Sequence, residues 1–234
     1  METGSLNEHT VKAFDEELTQ LRGLVAQMGG LAEHAVTGSI DALKKHDLTL
    51  AREIIAEDRR IDDLESEIER LAIRLIALRA PMADDLREIV AALKIAAVLE
   101  RAGDYAKNIA KRVAIIEDHG TIEPLSVLPA MAAITSDMLR DVLDAFAARN
   151  ADAAIEICER DKTVDDFYNS IFRALVTFMM ENPKSITQVA HLLFVAKNLE
   201  RIGDHATNVA EMVYYAATGN HMAERERGES PLSN

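Results

Sequence analysis

The chain of 234 residues has no tryptophan, one cysteine, five prolines and only 4% aromatic residues. A lone Cys158 cannot close an internal disulfide, and the N-terminus lacks the basic-then-apolar layout of a signal peptide, so a cytoplasmic, reducing compartment is expected. Beside 48% hydrophobic residues, the shortage of proline and aromatics reads as all-helical. Long apolar runs are missing too. The uncharged stretch from Ser185 to Ala196 falls short of the roughly 18 residues a membrane span needs, so membrane contact is expected only through partners. Basic residues are the minority, 26 Lys and Arg against 40 Asp and Glu, and the formal net charge of -14 disfavours nucleic acid and anionic lipid as partners. Cations or basic protein surfaces fit better. The sequence holds no phosphate-cradling glycine loop, nucleophile elbow or triad spacing. No Glu-x-x-His occurs, which removes the di-iron oxidase signature of four-helix bundles. The expectation is therefore a protein without catalytic residues, not an enzyme.

What the chain does have is a segment written twice, one hundred residues apart: Leu99-Glu100-Arg101-Ala102-Gly103-Asp104-Tyr105-Ala106-Lys107-Asn108 and Leu199-Glu200-Arg201-Ile202-Gly203-Asp204-His205-Ala206-Thr207-Asn208. Leu, Glu, Arg, Gly, Asp, Ala and Asn stay in register. The repeat extends further, for Asp41-Ala42-Leu43 resembles Asp144-Ala145-Phe146, and Asp58, Asp62 and Asp63 pair with Asp161, Asp165 and Asp166. Apolar residues at spacings of three and four predict helices at about Phe14 to Lys45, Leu48 to Leu78 and Asp84 to Glu117, the last stopped by His119-Gly120. Gly29-Gly30 marks a weak point in the first. The interval from Thr121 to Pro129, with two prolines, reads as a linker. Helices then recur from the linker to about Arg149, from Ala151 to Met180, and from Ser185 to Ala217. The expected architecture is two tandem antiparallel three-helix bundles related by internal duplication: residues 1–120, residues 121–220 and a mobile tail at 221–234. Each bundle is expected to bury its own apolar stripes.

On a helix, Glu at i, Asp at i+4 and Asn at i+8 drift by only about 40° per step and form one stripe of oxygen donors. Glu100, Asp104 and Asn108 make such a stripe in the first half, and Glu200, Asp204 and Asn208 in the second. Asp58 and Asp62, like Asp161 and Asp165, sit off the apolar stripe of the preceding helix, so the acids of neighbouring helices could converge on an outer groove. Oxygen-only clusters favour magnesium, manganese or iron over zinc. Gly103 and Gly203 cost about 1 kcal/mol each relative to alanine in a helix, and close approach of a backbone or ligand is a reason to keep them. The bland reading is a solvated acidic face. Against it stands the preservation of spacing in both halves. Arg101 and Arg201 are candidates for ion pairing or partner contact. His205 lies on the apolar side as a core or interface residue, Cys158 reads as inert, and Met179-Met180 as packing.

The doubled Glu-Arg-x-Gly-Asp-x-Ala-x-Asn segments, the Arg79-Ala80-Pro81 break followed by Asp85-Leu86-Arg87, and the paired aspartates resemble the PhoU family of bacterial phosphate signalling regulators from about Phe14 to Gly219. The resemblance implies metal clusters held by the acidic pairs, and frequent homodimers. It also implies negative regulation of phosphate uptake and of the phosphate-starvation response, between the ATPase of the phosphate ABC transporter and a membrane sensor histidine kinase. Two alternatives stay open: a metal-storage or metal-dependent enzyme, and a metal-free helical scaffold. The sequence departs from a symmetric repeat at Tyr105 against His205, and in the basic Lys107, Lys111 and Arg112, which follow only the first segment.

Overall fold

The computed structural model describes residues 3–116 and 126–222, with side chains from residue 12 onward. It contains α1 (Thr3–Lys45), α2 (Leu48–Arg79), α3 (Ala83–Arg112), α4 (Leu128–Ala148), α5 (Ala151–Glu181) and α6 (Ile186–Thr218), the last preceded by a 3-10 turn at Pro183–Ser185. No strand occurs among the described residues, and none of their helices is long and apolar enough to cross a membrane. The expected stop at His119-Gly120, most of the linker with the boundary at 120/121, and the tail from residue 223 lie outside the described residues.

Three helix features differ from the sequence expectation. α1 begins at Thr3 rather than Phe14, since extending a formed helix adds one hydrogen bond per residue without a new nucleus. α3 ends at Arg112 rather than Glu117. There the backbone tightens to i→i−3 bonds, from Val113 N–H to Ala110 and from Ile115 N–H to Arg112, which suits burial of both Val113 and Ile116. Finally, α1 runs unbroken through Gly29-Gly30. A Cβ on Gly29 would lie 2.0 Å from Leu143 Cδ1 of α4, so this glycine is a helix contact, not a break.

The duplication is legible in the turns. His46 and Arg149 both adopt a left-handed φ of 50°. Asp47 and Asn150 follow them as N-caps of α2 and α5, each accepting from the two backbone N–H groups that need a partner there. Their own N–H groups return to Ala42 and Ala145, closing the preceding helix in the same way in both halves.

Within each half the three helices pack on one another, α1 with α2 and α3, and α4 with α5 and α6. The halves join along α3–α6 and α1–α4. Contrary to the expectation of separate cores, the buried apolar residues of both halves form one connected cluster. The cause is the alanine content of the central helices: Ala92, Ala96, Ala102 and Ala106 of α3 and Ala196, Ala206 and Ala210 of α6 are all buried. Small side chains let α3 face α1, α2 and α6 at once. A buried carboxylate reinforces the junction, because Glu88 of α3 bridges Arg22 of α1 and Arg149 at the end of α4. Burial works against its charge, but the two guanidinium groups outweigh it and hold Glu88 below the usual carboxylate range.

Candidate metal centres and the seam between them

The first acidic group is built by α2 and α3. Gly103 lets the two helices close, since a Cβ there would meet Ile61 Cδ1 at 2.7 Å and Asp58 Oδ1 at 3.5 Å. Asp58, Asp62, Glu100 and Asp104 thereby come within electrostatic reach of one another, joined by Glu65 one turn further along α2. Their placement differs in part from the expected outer groove, for Asp62 stays exposed while Asp58 does not. Because α3 packs on three neighbours, the arc beyond its strongest apolar stripe is also covered, leaving Asp58 only 7% exposed and Glu100 and Asp104 half-buried.

Between Asp58 and Asp104 sits Lys107, its Nζ 2.5 Å from Asp58 Oδ2 and 2.7 Å from Asp104 Oδ1. Burial opposes the ammonium charge, yet the two aspartates raise Lys107 above the ordinary lysine value. Burial also pushes Asp104 upward, but Lys107 prevails and holds it low. The far end of the group has no such partner. Burial, then the charge of Asp104, pushes Glu100 up to about 7. Asp62 is raised by burial and Asp58, and Glu65 by burial and Asp62.

α5 and α6 build the second group in the same register. Gly203 faces Val164 as Gly103 faces Ile61, with a Cβ-to-Cγ1 distance of 3.1 Å. Asp161 and Asp165 of α5 meet Glu200 and Asp204 of α6. The counterpart of Lys107 is Thr207, whose hydroxyl donates to the Asp204 backbone carbonyl at 2.7 Å, so no ammonium occupies that position. Lys197 approaches from the preceding turn instead. It donates to Glu200 at 2.7 Å and lies over the Tyr168 ring, 5.1 Å from its centroid. Asp165 is pushed up to about 6 by burial and Asp161, and Asp204 to about 6 by burial and Glu200.

Among the described residues no three His, Cys, Asp or Glu side chains are gathered in a ready-made metal cage. The donor chemistry nevertheless fits a hard or intermediate cation, and burial, then neighbouring carboxylates, raises Asp62, Glu100, Asp165 and Asp204. The Asn108 and Asn208 side chains are half-buried and make no hydrogen bond to these acids among the described residues. Lys197 and Glu65 escaped the sequence reading. Lys197 is signalled by its i, i+3 spacing to Glu200, and Glu65 by continuing the series of Asp58 and Asp62 on one helical face.

The two groups flank a seam where α3 meets α6. Tyr105 stacks on His205 with centroids 5.6 Å apart, and His205 Nε2 lies 3.4 Å from the Tyr105 hydroxyl. His205 is thus an interface residue between the halves. Arg112 lies over the Phe194 ring on the same seam, so α3 and α6 run in opposite directions. Arg201 stands over the Tyr105 ring, 5.8 Å from its centroid. Cys158 is buried, its Sγ 3.9 Å from the Thr207 carbonyl. Met180 is 79% exposed and does not pack, whereas Met179 lies against the core.

These features define a class: two duplicated three-helix bundles fused along α3 and α6, each with a Glu-Arg-x-Gly-Asp segment facing an aspartate pair. The family model described as PhoU domain matches residues 25–113 and 128–213, one match in each half. The chain belongs to the PhoU family. It is 55% identical over 225 residues to the phosphate-specific transport system accessory protein PhoU homolog of Zymomonas mobilis, covering 96% of this chain and 95% of that one. The corresponding Caulobacter vibrioides homolog is 50% identical over 221 residues, covering 93% and 95%. Among solved structures, PhoU from Pseudomonas aeruginosa superposes with a TM-score of 0.85 at 37% identity, covering 88% of this chain and all of that one. The phosphate transport system regulatory protein PhoU from Streptococcus pneumoniae gives 0.83 at 31% identity, covering 89% and 99%.

Proposed function

We propose that this protein is the accessory regulator of a phosphate-specific transport system, restraining phosphate uptake and the phosphate-starvation response. The observation that carries this reading is the family match over both halves, with relatives of the same length named for that system. In this reading it links the ATPase of the phosphate ABC transporter to a sensor histidine kinase, works as a homodimer in the cytoplasm, and reaches the membrane only through those partners. Deleting it should leave the starvation response switched on in phosphate-rich medium. A normally repressed response in the deletion strain would refute the regulatory role.

The acidic groups are proposed as cation sites, through Asp58, Asp62, Glu100, Asp104 and Asn108 in one half and Asp161, Asp165, Glu200, Asp204 and Asn208 in the other. Support comes from the oxygen-only donors and from Glu100, Asp165 and Asp204, raised to about 7, 6 and 6. A bound iron, manganese or magnesium ion, or a cluster of them, would supply the positive charge these carboxylates lack. The residues then act as a clamp between α2 and α3, or α5 and α6, fixing the spacing of helices that also form the seam.

Arg101 and Arg201 are proposed as contact residues for an acidic partner surface. Both are exposed, and among the described residues neither forms an ion pair, unlike Arg22, Arg79, Arg140, Arg149 and Arg160. Arg101→Ala should weaken partner association in a pull-down while leaving the melting temperature nearly unchanged. Lowered stability with intact association would rule out this role.

A further inference from the structure

α6 opens on a stretch without acid. Residues 186–199 hold no Asp or Glu, and neither do residues 105–116 and 167–180, the stretches of α3 and α5 that lie beside them. Contacts fix that neighbourhood: Tyr105 stacks on His205, Arg112 lies over Phe194, and Lys197 over Tyr168. In a chain with 40 acidic residues, these stretches carry Lys107, Lys111, Arg112, Arg173 and Lys197 instead. Lys107 and Lys197 are held by Asp58, Asp104 and Glu200, whereas Lys111, Arg112 and Arg173 form no ion pair among the described residues. The region is cationic on a molecule of net charge -14.

Its outer edge is also apolar. Arg112 lies 5.0 Å from the centroid of the Phe194 ring and donates from Nη1 to the Asn108 carbonyl at 2.8 Å, while its buried Nε finds no acceptor. Phe194 stays 55% exposed despite this contact, and Ile115, one turn beyond Arg112, and Ile186, two turns before Phe194, are each 48% exposed. The seam repeats the arrangement further along, where the exposed Arg201 stands over Tyr105. Residues 105 and 112 on α3, and 194 and 201 on α6, are each two helical turns apart, about 10 Å. Two guanidinium–aromatic stacks therefore follow one another along the edge of the seam. The outer stack is not a by-product of the duplication, since Lys94 and Met212 stand at the counterparts of Phe194 and Arg112.

Exposed apolar side chains beside cations that lack carboxylates call for a cover that is both apolar and acidic. The same face of a second copy would bring like charges together, and an anionic bilayer would repel a chain of this net charge. An acidic protein segment meets both needs, and the two-turn spacing of the stacks is that of a helix laid along the seam. We propose that the α3–α6 edge bearing Arg112, Phe194, Ile115 and Ile186, together with Arg201 on Tyr105, docks an acidic amphipathic helix of a partner protein. Apolar side chains of that helix cover Phe194 and the two isoleucines, and carboxylates two turns apart meet Arg112 and Arg201, whose planar donor forks match them. The proposal rests on the adaptor reading above and gives it an anchor, since Phe194 supplies the buried aromatic contact that a charged rim lacks.

The test is the association of the full chain with the purified transporter ATPase and with the cytoplasmic part of the kinase, each followed against salt. The expected result is association with one of them that salt weakens, and that Phe194→Ser, Arg112→Gln and Arg201→Gln each weaken about tenfold or more with the melting temperature nearly unchanged. Met82→Ser, which removes another exposed apolar side chain from the turn between α2 and α3, should leave association as it is. Association that survives Phe194→Ser and Arg112→Gln would overturn the proposal, as would self-association or binding to anionic vesicles that these substitutions abolish. Should the wild type associate with neither protein, the adaptor reading fails by itself. A short synthetic helix with glutamates two turns apart beside a leucine face then decides the docking surface: binding that Arg112→Gln removes upholds it, and no binding overturns it.

Discussion

The two acidic groups are built on corresponding helices, in the same register and each with a facing glycine, yet they are charged differently. In the first, Lys107 lies between Asp58 and Asp104 and neutralises one end, leaving Glu100, Asp62 and Glu65 to repel each other at the other. In the second, Thr207 takes the place of Lys107, and a nearby ammonium, Lys197, is engaged with Glu200 from the opposite direction. Asp165 and Asp204 keep their mutual repulsion. The first group therefore carries its ammonium between two aspartates, and the second carries its own on Glu200. The difference teaches that duplicated groups need not be equivalent: the position of one lysine decides how much of the same constellation pairs with itself.

The sharpest way to break this comparison is Lys107→Thr, which gives the first group the residue of the second. In metal-free protein it should lower stability by about 1–3 kcal/mol, because buried Asp58 loses its partner. Added metal should then raise the melting temperature more than it does in the wild type. An unchanged response to metal would show that Lys107 does not compete for the site. The glycines give a smaller contrast. Gly103→Ala would press a Cβ against Ile61, itself fully buried; overpacking should outweigh the helix-propensity gain and cost about 1 kcal/mol net. Gly203→Ala meets Val164 at a distance that a few tenths of an ångström relieves, so it should be nearly neutral. Denaturant midpoints of the two variants decide the order, and stabilisation by Gly103→Ala would contradict the close-approach account.

The smallest expected effect is in pH dependence. Glu100, Asp165 and Asp204 have folded pKa values above those of the unfolded chain. The folded state then binds more protons than the unfolded one between about pH 4 and 7, so stability falls as pH rises through that window. Asp104 and Glu88, held low, act in the opposite sense, but only below the ordinary carboxylate range. Metal-free protein should therefore melt at a higher temperature at pH 5.5 than at pH 7.5, and added metal should flatten the difference. All three groups are partly exposed, so solvent screening keeps the effect modest.

Much of this fold was readable from the sequence because its signals are local and doubled. Asp47 and Asn150 cap equivalent helices, apolar spacing marks α2 and α5 to within a residue at their C-terminal ends, and the Glu-Arg-x-Gly-Asp copies mark α3 and α6. The gathering of Asp58 and Asp62 with Glu100 and Asp104 was also legible, since the duplication repeats both pairs at a nearly constant offset. What stayed hidden depends on how helices distant in sequence pack. The fused core arises from alanine faces of α3 and α6 that look unremarkable one helix at a time. The placing of Arg201 over Tyr105 requires the α3–α6 contact, and the capture of Asp58 by Lys107 requires α3 to lie on α2.

The central claim is that the second acidic group is the stronger cation site because its lysine holds one carboxylate, Glu200, where Lys107 bridges two aspartates. Elemental analysis of protein purified without chelator tests this directly, comparing wild type with Asp165→Asn plus Asp204→Asn and with Asp62→Asn plus Glu100→Gln. The account predicts metal in the wild type, most of it lost from the second-group variant and less from the first-group variant. Metal-free wild type, or greater loss from the first-group variant, would contradict it.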